Sequence, residues 1–72
     1  MTRRNSMKPT RIAIPTANPM LKRWVEWLGY SPESMSPQAW IMRLDLPNGF
    51  RGRYPEPSID AASLATIRVL PI

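Results

Sequence analysis

One stretch of the sequence, between Pro19 and Leu28, carries apolar residues at the spacing of an α-helix. Its apolar side chains would share one face and its charged side chains the other; the apolar set is Met20, Leu21, Trp24, Val25, Trp27 and Leu28. Asn18 suits the N-cap, proline suits the first helical position, and Gly29 suits the residue after the helix. The pattern predicts an amphipathic helix that must dock on another element, because so short a helix is marginal alone.

Alternating apolar and polar residues predict a β-hairpin over residues 39–54. From Ala39 to Leu46, the residues pointing one way are Trp40, Met42, Leu44 and Leu46, and those pointing the other way are Ile41, Arg43 and Asp45. Pro47-Asn48-Gly49 favours a turn, because proline presets φ while asparagine and glycine accept positive φ. Phe50 to Tyr54 alternates again, and Gly52 indicates a bulge or a close backbone approach.

Shorter segments predict the remaining elements. The β-branched run Arg11 to Ile14 favours a strand that ends at Pro15. Residues 31–35 are typical of a cap followed by one helical turn, and Asp60 is a suitable cap for a second short turn through Leu64. Residues 66–70 predict a last strand, which Pro71 ends. The chain has nine prolines, which restrict it to short elements.

Together these patterns predict an α+β fold. We expect a small antiparallel sheet of three or four short strands packed against one amphipathic helix, preceded by a flexible basic N-terminal arm. The arm would span residues 1–11, and residues 12–72 would form a single small domain. The predicted core consists of Leu21, Trp24, Leu28, Trp40, Met42, Leu44, Ile67 and Val69.

Composition argues against catalysis. The chain has neither cysteine nor histidine, so it offers no thiolate nucleophile, no cysteine or histidine metal ligand and no histidine as general base near pH 7. The five acidic residues lie singly along the chain, and no glycine-rich phosphate loop precedes a helix. We therefore expect a protein that is not an enzyme and has no catalytic residue, cofactor or metal. No apolar run approaches the roughly 20 residues of a membrane span. The lack of cysteine and of an apolar signal region in residues 1–11 favours the cytoplasm, and we expect a monomer.

Basic residues are the candidate binding groups, since ten Lys and Arg against five Asp and Glu give a net charge of +5. Such a balance favours acidic partners. One group of candidates lies in the arm: Arg3, Arg4, Lys8 and Arg11. A passive, solvated tail is an equal alternative. The other candidates are Arg51 and Arg53, flanked by Phe50 and Tyr54, for which a plain solvated hairpin face is the alternative.

The Trp24 and Trp27 pair on the predicted helix has two interpretations. Tryptophan is enriched at protein–protein hot spots, yet in a domain this small it usually belongs to the core. The pattern favours a core role for Trp24 and leaves Trp27, at the edge of the apolar face, open.

The combination of an Arg3-Arg4 arm, an Asn18-Pro19 capped tryptophan helix and the Pro47-Asn48-Gly49 turn, in a short chain without Cys or His, resembles small bacteriophage proteins that bind host RNA polymerase. More narrowly, the chain resembles the phage regulators that dock on the N-terminal region of the β′ subunit. The resemblance covers the chain as a whole and transfers no binding residue. It implies inhibition of transcription initiation and promotion of antitermination in the host bacterial cytoplasm.

Two other functions remain open from the residues. A small basic module could bind DNA or RNA through the arm and the 39–54 hairpin, with bases stacking on the aromatics. A structural phage component or a toxin–antitoxin accessory protein is the third possibility. A steep loss of binding with salt would favour the nucleic-acid module.

Overall fold

A computed structural model describes residues 8–71, which form a four-stranded antiparallel sheet with a helix packed on one face. The elements in chain order are β1 (Arg11–Pro15), α1 (Pro19–Leu28), β2 (Tyr30–Met35), β3 (Ala39–Leu44), α2 (Ala61–Leu64) and β4 (Arg68–Val69). The strands lie side by side in the order β2-β3-β1-β4. The predicted α+β fold is thereby confirmed. Neither helix of the described segment has the length and apolar character that a bilayer crossing requires.

Helix α1 has the boundaries and caps that the sequence predicted. The Asn18 side chain accepts a hydrogen bond from the backbone N–H of Leu21 at 3.1 Å. At the other end Gly29 takes a left-handed conformation, with φ of 114°, and its N–H reaches the last-turn carbonyls. Glycine is suited to this place because it has no Cβ to clash there.

The core lies between α1 and one face of the sheet. Alternation along β1 directs Ile12 and Ile14 towards the helix, where they meet Met42 of β3 and the helix residues Leu21 and Val25. These side chains are almost completely buried. The face of the sheet that carries them is therefore covered by α1, whereas the alternate residues of β1 and β3 lie on the face that points away from this helix.

The predicted core is partly correct. Leu21 and Met42 are fully buried, as predicted. A further group is only partly buried around that centre, namely Trp24, Leu28, Trp40, Leu44 and Ile67. The prediction was wrong for Val69, which is 64% exposed because β4 is a two-residue edge strand. Ile12, Ile14, Val25 and Tyr30 are core residues that the prediction omitted.

Strand β2 corrects the prediction of a helical turn at residues 31–35. Tyr30–Met35 pairs with β3, and the register shifts between Pro32 and Ser34. Proline cannot donate to a ladder, but β2 is an edge strand, where the irregularity accommodates Pro32. Cross-strand pairing with β3 thus overrides the local capping signal.

The predicted 39–54 hairpin is half correct. Its first strand is β3, but residues 47–53 form turns and Phe50 to Tyr54 is not a strand. Both edges of β3 are already paired, with β1 on one side and β2 on the other. The hairpin of this fold is therefore β2-β3, and the segment after β3 folds against the end of α1.

Short elements near the C-terminus follow the prediction more closely. Asp60 precedes the single-turn helix α2, as expected, although its side chain makes no capping bond to the backbone. The last strand is shorter than predicted and consists of Arg68 and Val69 alone. Ile59 and Leu64 pack against the core, so this segment closes one end of it.

Candidate functional site

Residues 46–54, which we call the 46–54 loop, are held on the C-terminal end of α1 by hydrogen bonds. The Phe50 N–H donates to the Trp27 carbonyl at 2.9 Å, and the Trp27 indole N–H donates to the Tyr54 carbonyl at 2.9 Å. The Leu46 N–H donates to the Gly29 carbonyl at 2.9 Å. The bonds to the Trp27 and Gly29 carbonyls satisfy acceptors at the helix end that the helix itself leaves without partners.

Two glycines allow the loop to approach the helix so closely. A Cβ on Gly49, where φ is 59°, would lie 2.6 Å from the carbonyl carbon and oxygen of Leu28. A Cβ on Gly29 would lie 1.9 Å from the Leu46 carbonyl oxygen. Each is a contact with backbone, which has little freedom to move aside. The two glycines therefore fix where the loop sits.

The Lys8 side chain also links the 46–54 loop to the end of α1. Its Nζ donates to the Leu28 carbonyl at 2.7 Å and to the Pro47 carbonyl at 3.0 Å. A cation at the C-terminal end of a helix also meets the negative end of the helix dipole. Partial burial, and secondly the charge of Arg51, lower the pKa of the Lys8 ammonium. Lys8 thus lies beside the basic residues of the loop.

Arg51 and Arg53 project from this loop into solvent. They line an open cavity of about 350 Å³ together with Leu46, Pro47, Asn48 and Gly49. The guanidinium of Arg51 lies 5.7 Å from the centre of the Trp27 ring. Among residues 8–71, no acidic side chain lies within ion-pair distance of either arginine. Their charge is therefore available to an external partner.

The same loop exposes apolar surface. Tyr54 is 62% exposed and Leu46 is 47% exposed. The Tyr54 ring packs edge-on against Phe50, with centroids 5.6 Å apart, so its position is partly fixed. Arginine and tyrosine on a held backbone are the residue types that dominate protein–protein hot spots.

The structure divides the basic residues predicted from the sequence. Lys8, Arg51 and Arg53 lie together at the 46–54 loop, and we call them the loop cluster. Arg11 lies apart, as the first residue of β1, and its Nε donates to Glu33 at 2.9 Å. Arg3 and Arg4, with the rest of the predicted arm before Lys8, lie outside the described residues.

The tryptophans of α1 are fixed by polar bonds as well as by packing. Trp24 packs against the core, as its place on the apolar face predicted, and its indole N–H donates to Glu56 at 2.9 Å. Trp27 is half-buried between the helix and the 46–54 loop. We therefore interpret Trp27 as a residue that positions Arg51, rather than as a binding residue.

Sequence reasoning missed a second basic surface. Strand register places Arg11 directly opposite Arg43, and Arg68 opposite Ala13, two residues from Arg11. Because alternate residues share a face, these three arginines lie together on the sheet face that α1 leaves open. We call Arg11, Arg43 and Arg68 the sheet-face arginines. Alternation had placed Arg43 away from the core, but only the strand order reveals its neighbours.

The described residues offer no metal centre, since no group of three or more acidic side chains could hold an ion. Asp60 has a lowered pKa, chiefly because the Ser63 side chain hydrogen-bonds to it. That interaction belongs to the start of α2, and Asn18 also bonds to Ser63 at 2.9 Å.

In comparisons with known proteins, no family model, no curated protein and no solved structure matches this chain. The interpretation of function accordingly rests on the residues and their geometry.

Proposed function

We propose that this protein regulates transcription by binding host RNA polymerase, with the loop cluster and its apolar neighbours forming the contact. The observation that carries the proposal is the pairing of Arg51 and Arg53, which have no acidic partner among the described residues, with exposed Leu46 and Tyr54. This combination suits an acidic protein surface that has an apolar centre. The resemblance to polymerase-binding phage proteins supplies the identity of the partner and its β′ subunit.

The proposed mechanism is steric and allosteric. A bound chain of this size would alter polymerase contacts with promoter DNA, sigma factor or the transcript, inhibiting initiation and promoting antitermination in the host cytoplasm. Apolar contacts at Leu46 and Tyr54 would supply much of the affinity. Arg51 and Arg53 would add to the affinity and would also speed association and orient the complex.

The anchoring of the loop supports a protein partner over a purely electrostatic one. Gly29, Gly49 and Lys8 hold the 46–54 loop against α1, so little order would have to be gained on binding. A nucleic-acid module based on a 39–54 hairpin loses its second strand in this fold. Binding that depends on an apolar centre should also weaken less with salt.

The test is binding of the full chain to purified host RNA polymerase that is free of nucleic acid. Binding is measured by native electrophoresis and by the affinity of the chain for polymerase immobilised on a surface. We expect a stable complex with the intact chain and a loss of affinity of about 10-fold or more for the double variant Arg51→Gln/Arg53→Gln. The matched control is Arg43→Gln/Arg68→Gln, which removes the same charge from the open sheet face. We expect that control to bind nearly as the intact chain does.

Failure to bind polymerase would overturn the proposal. Equal losses for the two double variants would overturn the placement of the contact, since net charge alone would then explain the binding. Far-ultraviolet circular dichroism should match for all chains, because the four substituted arginines are exposed.

A further inference from the structure

The open sheet face carries a row of three arginines on adjacent strands. Arg43 lies on β3, Arg11 on the neighbouring strand β1, and Arg68 on β4 beyond it. Neighbouring strands are about 4.8 Å apart, so the row crosses the sheet over roughly 10 Å. Regular backbone pairing, not a flexible loop, sets its spacing.

Like charges facing each other across a strand pair are unfavourable without an anion. Arg11 and Arg43 are such a pair. Two exposed acidic side chains neutralise part of this positive charge. Glu33 Oε1 lies 2.9 Å from Arg11 Nε, and Asp45 Oδ1 lies 3.6 Å from Arg43 Nη2. Arg68 has no such partner among residues 8–71. The row is therefore left with charge that an external anion would neutralise.

The sheet surface between the arginines, which we call the floor, is formed by the apolar residues Ala13, Pro15, Ala39 and Ile41. Ala13 and Ile41 face each other across β1 and β3, and Pro15 faces Ala39 one step further along the same face. All four side chains are uncharged; Ala13 is buried, whereas Pro15, Ala39 and Ile41 are partly exposed. An extended chain could lie on this floor with its anionic groups against the row.

We propose that this face binds single-stranded RNA. Phosphates of the RNA would contact the sheet-face arginines, and its bases or sugars would lie over the apolar floor. A duplex fits less well, because α1 packs on the other face and no helix is available here to enter a groove. The proposal does not depend on polymerase binding.

The acids on this face favour RNA over DNA. Glu33 and Asp45 would repel phosphate, yet their carboxylates can accept hydrogen bonds from ribose 2′-hydroxyls, which deoxyribose lacks. Asp45 is held in place by the Ser31 hydroxyl, which donates to it. The arginines would bind phosphates, and the neighbouring carboxylates would accept hydrogen bonds from 2′-hydroxyls. Such a surface suits RNA better than DNA.

The experiment is fluorescence anisotropy of the full chain with a labelled oligouridine of roughly 10 nucleotides, the site size of comparable binding surfaces. We expect Arg43→Gln/Arg68→Gln to weaken binding by about 10-fold and to reduce the slope of log affinity against log salt by about 1.4, since each phosphate contact on a single strand contributes about 0.7. Arg51→Gln/Arg53→Gln carries the same charge change on the loop, and we expect a much smaller loss. An oligodeoxyuridine of equal length should bind more weakly than the RNA.

Two results would overturn the inference. Unchanged RNA affinity in Arg43→Gln/Arg68→Gln would show that this face does not bind RNA. An equal loss in Arg51→Gln/Arg53→Gln would show that net charge, not this face, determines binding. Equal affinity for the DNA strand would remove the assignment to RNA. Should the double variant unfold, Arg68→Gln alone serves, because Arg68 makes no ion pair with any other described residue and lies in the two-residue edge strand.

Discussion

The two basic surfaces of this protein are built in different ways. The loop cluster of Lys8, Arg51 and Arg53 sits on irregular backbone that a few tertiary contacts hold against α1. The sheet-face arginines sit on paired strands, whose register fixes each position through the backbone. Loss of one contact should therefore move the loop, while the sheet face should tolerate side-chain changes.

Their charge environments differ as well. Neither arginine of the loop cluster has an acidic partner among the described residues, whereas Arg11 and Arg43 contact Glu33 and Asp45. Unpaired cations beside apolar side chains suit a protein surface, and a mixed row of cations and carboxylates suits a polar, sugar-containing strand. We therefore expect the two groups of arginines to bind different kinds of partner.

Among the substitutions that test this comparison, Gly49→Ala should change the free energy of unfolding most. The new Cβ would lie 2.6 Å from Leu28 backbone atoms at a residue with φ of 59°, so the loop must leave the helix end or the helix must shift. Strain of this kind costs about 1–3 kcal/mol, and the clash adds to it. We expect a matching fall in the free energy of unfolding measured in urea.

Gly52→Ala is the matched control for that substitution. Gly52 also has positive φ, at 81°, but nothing lies within 4 Å of its added Cβ. It should therefore show the backbone strain without the clash. If the two variants lose the same stability, close packing of the loop on α1 is not what holds it.

The next effect is that of Lys8→Met, which keeps the length of the side chain but removes two hydrogen bonds to carbonyls. We expect a loss of about 1 kcal/mol in unfolding free energy and faster amide exchange in the 46–54 loop. Arg23→Met on the exposed side of α1 removes the same charge and should change stability by less than about 0.5 kcal/mol. Equal effects of the two variants would mean that Lys8 does not fasten the loop.

Tyr30→Phe gives a smaller effect that depends on pH. The buried Tyr30 hydroxyl donates to the Pro9 carbonyl at 2.6 Å and so holds the chain next to Lys8. Burial raises the pKa of this phenol above its ordinary value of 10.0. Its neutral form is therefore favoured in the folded state, and the stability it contributes is present below that value and lost as pH rises beyond it.

Urea denaturation across alkaline pH tests this contribution. Stability of the intact chain should fall more steeply above the ordinary tyrosine pKa than stability of Tyr30→Phe does. Parallel pH profiles for the two chains would show that Tyr30 does not titrate differently on folding.

The smallest effect on stability is expected on the sheet face. Glu33→Gln removes the exposed ion pair with Arg11, and such pairs contribute about 0–1 kcal/mol. We expect almost unchanged unfolding in urea, together with tighter binding of DNA oligonucleotides because a repelling charge is gone. A large loss of stability would show that the sheet face also depends on single side-chain contacts.

Local signals made part of this fold predictable. Helix α1 was correct at both ends because Asn18, Pro19 and Gly29 act on the nearest backbone groups. Strand β3 was correct at its start because its alternation extends over several residues, but it ends at Leu44, two residues earlier than predicted. The loop cluster was predictable only as a list, since the sequence singled out Lys8, Arg51 and Arg53 without showing that they meet.

Other elements could not be predicted because distant residues decide them. Strand β2 contains Pro32 and a helix-cap pattern, and it is extended because β3 offers a pairing edge. Phe50 to Tyr54 alternates as a strand should, yet it folds on α1 because both edges of β3 are taken. Competition for a strand edge has no signature in the local sequence.

By itself, the amino-acid sequence determined a basic α+β protein with one capped amphipathic helix and with arginines as its main exposed chemistry, since composition, capping and periodicity act within a few residues. Tertiary structure alone decided which cations share a surface. It brought Lys8 to the 46–54 loop and aligned Arg11, Arg43 and Arg68 across three strands. Those groupings depend on register and strand order, which arise from pairing between segments far apart in the chain.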